Sequence, residues 1–504
     1  MLTIEALFNK FKALRGCCLF DWISSACQPF APFAPETAPG SYFSDANDTI
    51  AAIWCGMSQS SDLFLPDSDK ALHERLALAI EGAIANGLYP PGARLPTHRH
   101  LARQFSVSIG TVTRAIDALS ARGVVRGEIG RGTFVGANTG AESEFIDLTI
   151  NAPPPLLGHE RLSAAASIAT RQALALPQGG YVDHSGTERQ RTVVAQWLSE
   201  TRLNSSADDI VLCSGAQQGL HLAFAALRSQ STSIASEGVS FPGAIAAAAN
   251  LGLTMLPVAY DDEGMLPDAL DKVLTESGCR IIYTTPVCQN PLGFETGPER
   301  RRVLATVAAK HGAAIVEDDI YGLYAAKGGL TYKQLAPETT FFITSLSKSV
   351  TPLVRLGVLV PPRAHRTAIV RRLRAESWGL PPYVVELAAA LIETGAAADT
   401  AALLRVEAKA RLDLARAILG LAATPMPNGA PHIWLDLSPL KAEQLARRSS
   451  EAGVRITPPG AMQVGEPAIG GVRICIMTPP SRPILERGLG VLAGLLSSDE
   501  QVVI

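Results

Sequence analysis

A lysine in a loop is usually solvated surface, but Lys348 has unusual company. It lies in Ser345-Leu-Ser347-Lys-Ser-Val-Thr-Pro-Leu-Val-Arg355-Leu-Gly357, among hydroxyls, just after the apolar run Phe341-Phe-Ile-Thr and seven residues before an arginine. Three other clusters also sit just past a strand-like run. Ser214-Gly-Ala-Gln-Gln follows Ile210-Val-Leu-Cys and opens an apolar helix, whose first backbone N–H groups lack intrahelical acceptors and can seat a phosphate. Thr285-Pro-Val-Cys-Gln-Asn290-Pro-Leu-Gly293 follows Arg280-Ile-Ile-Tyr, and taken alone reads equally well as an ordinary Asn-Pro turn. Glu317-Asp318-Asp319-Ile-Tyr321 follows Ala313-Ala-Ile-Val. Carboxylates closing a hydrophobic strand are costly to bury without a cationic partner, so a buried cation is implied. A carboxylate for a pyridinium nitrogen, a Schiff-base lysine and a phosphate seat of N–H groups plus arginine together describe a pyridoxal 5′-phosphate site.

The elements that must position these groups follow from the same runs. From Ile146 onward strand-like segments alternate with helical ones, the pattern of an α/β unit with a largely parallel sheet. Ligands bind in the crevice outside the carboxyl ends of such strands, which is where all four clusters fall.

Ahead of this unit the pattern is different. Leu72, Leu76, Ala79, Ile80, Ala83 and Ile84 share one helical face, with Gly87 placed to stop the helix. After a turn at Tyr89-Pro-Pro-Gly-Ala-Arg-Leu-Pro, Thr97 can cap a short helix carrying Leu101, Ala102 and Phe105. Ser108 can cap a third, with Val112, Ala115, Ile116 and Leu119 inward and Gly123 at its end. Residues 124–135 read as a hairpin turning on glycines. Two short helices followed by a hairpin predict a winged helix-turn-helix, the later helix entering the major groove of DNA. Between Arg94 and Arg131 seven arginines face only Asp117 and Glu128, a local balance of +5 in a chain of net charge −3. Such a stripe can neutralise phosphates, although a small helical domain with a solvated basic face has the same spacing.

Composition bounds the rest. With 47% hydrophobic and 18% charged residues over 504 positions, disorder along the whole chain is excluded and several domains are expected. The net charge shows no global preference for nucleic acid. Eight cysteines without C-x-x-C spacing give neither a disulfide framework nor a zinc site, and no metal is expected. A reducing, cytoplasmic compartment fits, and no apolar run is long enough to predict a membrane span. Residues 1–69 read as a disordered extension or an upstream-start artefact, Met57 being the natural start; residues 70–136 form the basic module, 137–145 a short linker and 146–495 the α/β unit.

Both halves resemble known families. Gly87-x-x-x-Pro-Gly-x-x-Leu-Pro-x-x-Arg99-x-Leu-Ala, Val107-Ser-x-x-Thr111-Val and Gly130-Arg-Gly-Thr-Phe-Val resemble the GntR class of bacterial regulators. The resemblance implies that Arg99 and Thr111 touch phosphates or bases, that Thr113 and Arg114 neighbour them on the reading helix, and that Arg131 reaches from the wing into the minor groove. Ile109 departs from the class, where arginine is frequent. The four clusters, in order and spacing, resemble fold-type I aminotransferases of the aspartate aminotransferase superfamily. By that resemblance Lys348 binds the cofactor covalently, Asp318 keeps its ring nitrogen protonated, and Asn290 and Tyr321 bond its phenolic oxygen. Gly215, Ala216, Gln217, Ser345, Ser347 and Arg355 hold its phosphate, and Phe241 stacks on its ring. Tyr181 approaches from a partner subunit. Arg473, in Gly471-Val-Arg-Ile with Val454-Arg-Ile-Thr-Pro-Pro-Gly upstream, forks onto a substrate carboxylate.

A GntR-like reader joined to an aminotransferase-like body resembles the MocR family of transcription regulators. The expectation is a pyridoxal-phosphate-dependent regulator that senses an amino compound, or the cofactor itself, and controls binding to an operator with paired half-sites. The resemblance also implies a head-to-tail homodimer. The alternative is a working aminotransferase acting on an amino acid, with an accessory DNA-binding module.

Overall fold

The computed structural model describes residues 71–85, 88–89, 92–121, 123–128, 132–136, 145–176, 181–325, 329–421, 429–466 and 470–500. The readings made for residues 1–69, for Gly87 and for the wing-tip Arg131 lie outside them, as does nearly all of the linker. The chain divides into two compact units between Gly140 and Ala141.

The first unit contains α1 (Leu72–Ala85), α2 (His98–Gln104), α3 (Ile109–Ala121), β1 (Val125–Glu128) and β2 (Gly132–Val135). Leu76 and Ile80 on α1, Leu101 on α2 and Val112, Ala115 and Leu119 on α3 are buried in one core, closed by Val125 and Val135 of the hairpin. The expected caps are present. Thr97 accepts a hydrogen bond from His100 N, and Ser108 Oγ accepts one from Thr111 N at 3.1 Å. β1 and β2 pair antiparallel, with Val125 opposite Val135. The sequence predicts only a turn at residues 89–96, but its second half is strand-like. Leu95 N donates to Thr133 O and Val135 N to Ala93 O, both at 2.8 Å, so the wing gains a third extended segment. The Ala-Arg-Leu run is too short for its alternation to stand out beside the flanking prolines.

The second unit is built on seven strands: β4 (Val211–Ser214), β5 (Ser233–Glu237), β6 (Thr254–Val258), β9 (Ile281–Thr284), β10 (Ala314–Asp318), β11 (Thr340–Ser345) and β12 (Leu356–Val360). β3 (Ile146–Asp147), β7 (Tyr260–Asp261), β8 (Gly264–Met265), β13 (His432–Leu435), β14 (Val454–Arg455) and β15 (Val472–Cys475) lie outside that sheet. The sheet order is β4-β12-β11-β10-β9-β5-β6, with β12 antiparallel to both neighbours and the other pairs parallel, as expected. Both faces are covered, which explains the unbroken apolar runs. Phe341 and Ile343 enter one core and Phe342 the opposite one, because successive side chains on a strand alternate. A smaller lobe pairs β13 with β15 and β14 with β3, packed on helices Ala396–Leu419, Pro439–Glu451 and Arg482–Glu500. Among the described residues no single helix is long and apolar enough to cross a membrane.

Candidate functional site

The three carboxylates that end β10 resolve the question of their counter-charges. Arg202 grips Asp319 with two bonds of 2.8 Å, and Arg301 stands 3.7 Å from Glu317, all four side chains being buried. Asp318, between them, has no arginine partner among the described residues. Its Oδ2 accepts the Tyr283 hydroxyl at 3.0 Å, while its buried Oδ1 has no hydrogen-bond partner among the described residues. Burial raises the carboxyl to about 7, against the pull of the Tyr283 hydroxyl and the Ile320 N–H. A buried acceptor without a donor in the chain calls for one from a ligand or a bound water.

Lys348 lies on the turn after β11. Ser345 braces that turn, its Oγ lying 2.8 Å from Leu356 O and accepting from Ser347 N at 3.0 Å, with Ser347 Oγ at 2.9 Å. Lys348 Nζ donates to Asn151 O, and burial lowers its pKa below the ordinary lysine value. The turn read as a phosphate seat lies where β4 runs into helix Gly215–Leu227, whose N-cap Ser214 makes no side-chain capping bond. Gly215 has φ +70°, and a Cβ there would lie 3.6 Å from the Arg355 guanidinium. Arg355 is exposed and has no carboxylate partner among the described residues. At Gly357 a Cβ would fall 2.3 Å from Gly215 C, so only glycine lets β12 pass this close. The Gln217 side chain turns elsewhere, its Nε2 donating to Gly243 O at 2.7 Å, so its remaining contribution to an anion is its backbone N–H. Phe241 caps the helix Pro242–Asn250.

Arg473 is less open than the sequence suggests. Its Nη1 donates to Asn290 Oδ1 at 2.7 Å, and its Nη2 to Thr149 O at 2.6 Å and Thr457 Oγ1 at 3.1 Å. Nε is buried without a hydrogen-bond partner among the described residues. A carboxylate forked across Nε and Nη2 must therefore displace one of the two Nη2 partners, the Thr149 carbonyl or the Thr457 hydroxyl. The bond to Asn290 Oδ1 leaves the amide Nδ2 of Asn290 as a donor. Tyr181 is 79% exposed and packs on Trp378, ring centroids 4.8 Å apart.

Sequence reading missed Tyr283, Arg202, Arg301, Asn151 and His432. Asn151 Nδ2 lies 2.9 Å from both the Tyr321 hydroxyl and His432 Nδ1, and His432 Nε2 lies 3.0 Å from Gln289 O. A lone histidine in an apolar strand was the one available signal.

In the reader, Arg99 and Arg114 are exposed on α2 and α3. The Thr111 hydroxyl pairs with Ser108 Oγ at 2.9 Å, and the Thr113 hydroxyl bonds Ile109 O and His98 Nδ1, so both are engaged inside the module. Ile109, 50% exposed, opens α3 with a bare apolar side chain.

Comparison with known proteins agrees with both halves. Residues 143–485 match the family Aminotransferase class I and II, and residues 72–135 the family of bacterial regulatory proteins, gntR family. The uncharacterized HTH-type transcriptional regulator YdeF of Bacillus subtilis is 24% identical over 85% of this chain and 95% of its own length. The HTH-type pyridoxine biosynthesis transcriptional regulator PdxR of Corynebacterium glutamicum is 28% identical over 59% of this chain and 67% of its own. Among solved structures, the α-aminoadipate aminotransferase LysN of Thermus thermophilus superposes with a TM-score of 0.63 at 24% identity, covering 71% of this chain and 94% of that one. The chain thus belongs to the class I and II aminotransferase family and carries a gntR-family reader ahead of that unit, the pairing of MocR-type regulators.

Proposed function

We propose that the protein is a DNA-binding transcription regulator whose aminotransferase-like unit holds pyridoxal phosphate and senses an amino compound or the cofactor itself. The observation that carries this reading is Asp318, the one carboxylate of the three without an ion pair among the described residues, on the strand next to the one that leads into Lys348. When bound, pyridoxal phosphate supplies an aldehyde that captures amines and a ring that draws electron density from them.

The chain's own groups divide the work. Asp318 Oδ1 accepts a hydrogen bond from the ring nitrogen and so keeps that nitrogen protonated. Lys348, lowered by burial, offers a neutral amine more readily than an exposed lysine does. Asn290 Nδ2 and the Tyr321 hydroxyl donate to the phenolic oxygen, and the Phe241 ring covers the cofactor face. Gly215, Ala216 and Gln217 present N–H groups to the phosphate, joined by Ser345, Ser347 and Arg355. Arg473 selects a carboxylate. Tyr181, exposed in a single chain, completes the site of a second copy in a head-to-tail homodimer. Two readers in one dimer then demand paired half-sites on double-stranded DNA. The effector must bind one arrangement of the protein more tightly than another to change operator binding.

The test scans amino compounds by visible absorbance of the cofactor-loaded protein and assays each responder for released keto product. A spectral response without turnover, followed by altered operator affinity, supports the regulator. Repeated turnover to a keto acid makes the protein an aminotransferase first and overturns it.

Two substitutions probe the halves separately. Arg99→Ala is expected to weaken DNA binding about equally across sequences and to lower the salt slope by about one; unchanged affinity at moderate salt removes Arg99 from the interface. Arg473→Lys is expected to weaken the response to carboxylate-bearing amines roughly 10- to 100-fold, as the loss of one charged hydrogen-bonded fork implies. Titrating amines with and without a carboxylate checks this. An unchanged response to both places carboxylate selection elsewhere.

A further inference from the structure

Asn151 and His432 belong to no motif, yet Asn151, 170 residues before Tyr321 in the chain, bonds the Tyr321 hydroxyl, and His432, 111 residues after it, bonds Asn151. All three side chains are buried. Their hydrogen-bond polarity can be worked out link by link. Gln289 O can only accept, so His432 Nε2 must carry a proton. Burial, with Arg473 nearby, pushes His432 down to about 3, so the ring is neutral and Nδ1 is an acceptor. The Asn151 atom facing Nδ1 must then be the amide nitrogen, which is how the side chain is oriented. Its second N–H points to the Tyr321 oxygen at 2.9 Å. Tyr321 therefore accepts from Asn151, and its own proton is left to be donated elsewhere.

We infer that Asn151, oriented by His432, is a positioning residue that fixes the direction of the Tyr321 hydroxyl proton toward the cofactor's phenolic oxygen. This rests on the pyridoxal-phosphate reading above. A donor at that oxygen stabilises the less protonated form of the bound chromophore, so the pH midpoint of its visible absorbance change reports the donor's presence. The other charged or titratable groups around Tyr321 and Lys348 are Asp318, Arg473, Cys475 and Arg355. The substitutions below leave all of them in place.

The experiment is a double-mutant cycle read by absorbance against pH on the cofactor-loaded full-length protein: wild type, Asn151→Leu, Tyr321→Phe and the double variant, with His432→Phe alongside. Asn151→Leu nearly conserves volume and adds no charge, while His432→Phe keeps a ring but removes the acceptor. Asn151→Leu is expected to raise the midpoint by about one pH unit, tenfold in proton affinity, and His432→Phe to raise it in the same direction. In the Tyr321→Phe background Asn151→Leu is expected to add nothing. An unshifted midpoint in Asn151→Leu, or an equal shift with and without the Tyr321 hydroxyl, overturns the inference. Absence of any bound chromophore in the wild type overturns the cofactor reading and this one with it, and is told apart by that first spectrum.

Discussion

Lys348→Ala protein, saturated with pyridoxal phosphate and then dialysed, is expected to emerge colourless, whereas the wild type keeps a visible band. The lysine is the one amine on the turn after β11, and the other groups proposed for the cofactor hold it without a covalent bond. The fold should survive. Among the described residues the Lys348 side chain makes one hydrogen bond, to Asn151 O, and its lowered pKa means that the folded protein disfavours the charged form. The sign follows from linkage. Below the folded pKa both states carry the proton and the folded state bears the whole burial penalty; as pH rises from the folded pKa to the unfolded one, near 10.4, that penalty disappears. Cofactor-free Lys348→Ala should therefore melt no lower than wild type near neutral pH, and should lose the gain in stability that wild type shows in that alkaline window. Absorbance after dialysis and thermal melts against pH check both parts. A retained visible band refutes the assignment of Lys348.

Asp318→Asn is expected to weaken cofactor binding on the order of 100-fold, since losing one member of a buried charged pair costs about 3 kcal/mol. Equilibrium dialysis measures it directly. The same variant tests the electrostatics without any cofactor. Burial raises Asp318 to about 7, so between an unfolded value near 4 and about 7 the folded state holds a proton that the unfolded state has released. Stability from this group is thus fully present below pH ~4 and is lost as pH rises toward about 7, with a slope of up to ~1.4 kcal/mol per pH unit for one proton. Asp318→Asn should flatten the pH dependence of the cofactor-free protein by about that slope between pH 5 and 7. Identical pH profiles for the two proteins would place the proton elsewhere. Glu237, raised to about 7 by burial, adds to the same trend in both and cancels in the comparison.

Much of this was legible along the chain because the relevant physics is local. Ser345–Gly357, Glu317–Tyr321 and Ser214–Gln218 are strand ends running into turns, recognisable by a hydrophobic run that stops at polar residues. Thr97 and Ser108 announce helix starts within three residues of the N–H groups they cap. Even the need for buried cations beneath Glu317-Asp318-Asp319 follows from desolvation alone.

Which cations answer that need was beyond the sequence. Arg202 reaches Asp319 from 117 residues away and Arg301 stands by Glu317 from 16, and neither arginine differs in its local setting from those on the surface. The same holds for Arg473, whose fork is occupied by Asn290 and Thr149 across 183 and 324 residues, and for Asn151 with His432 across 281. Local pattern places a strand, a cap or a turn because its partners lie within a few residues. It cannot show which distant side chain fills a hydrogen-bonding site, since that depends on how the two lobes of the second unit close on each other. Reading along the chain thus singled out Lys348, Asp318 and the turn at Ser214–Gln218; only the tertiary structure decided that Asp318 is the carboxylate without an ion pair among the described residues and that Asn151 bonds the Tyr321 hydroxyl.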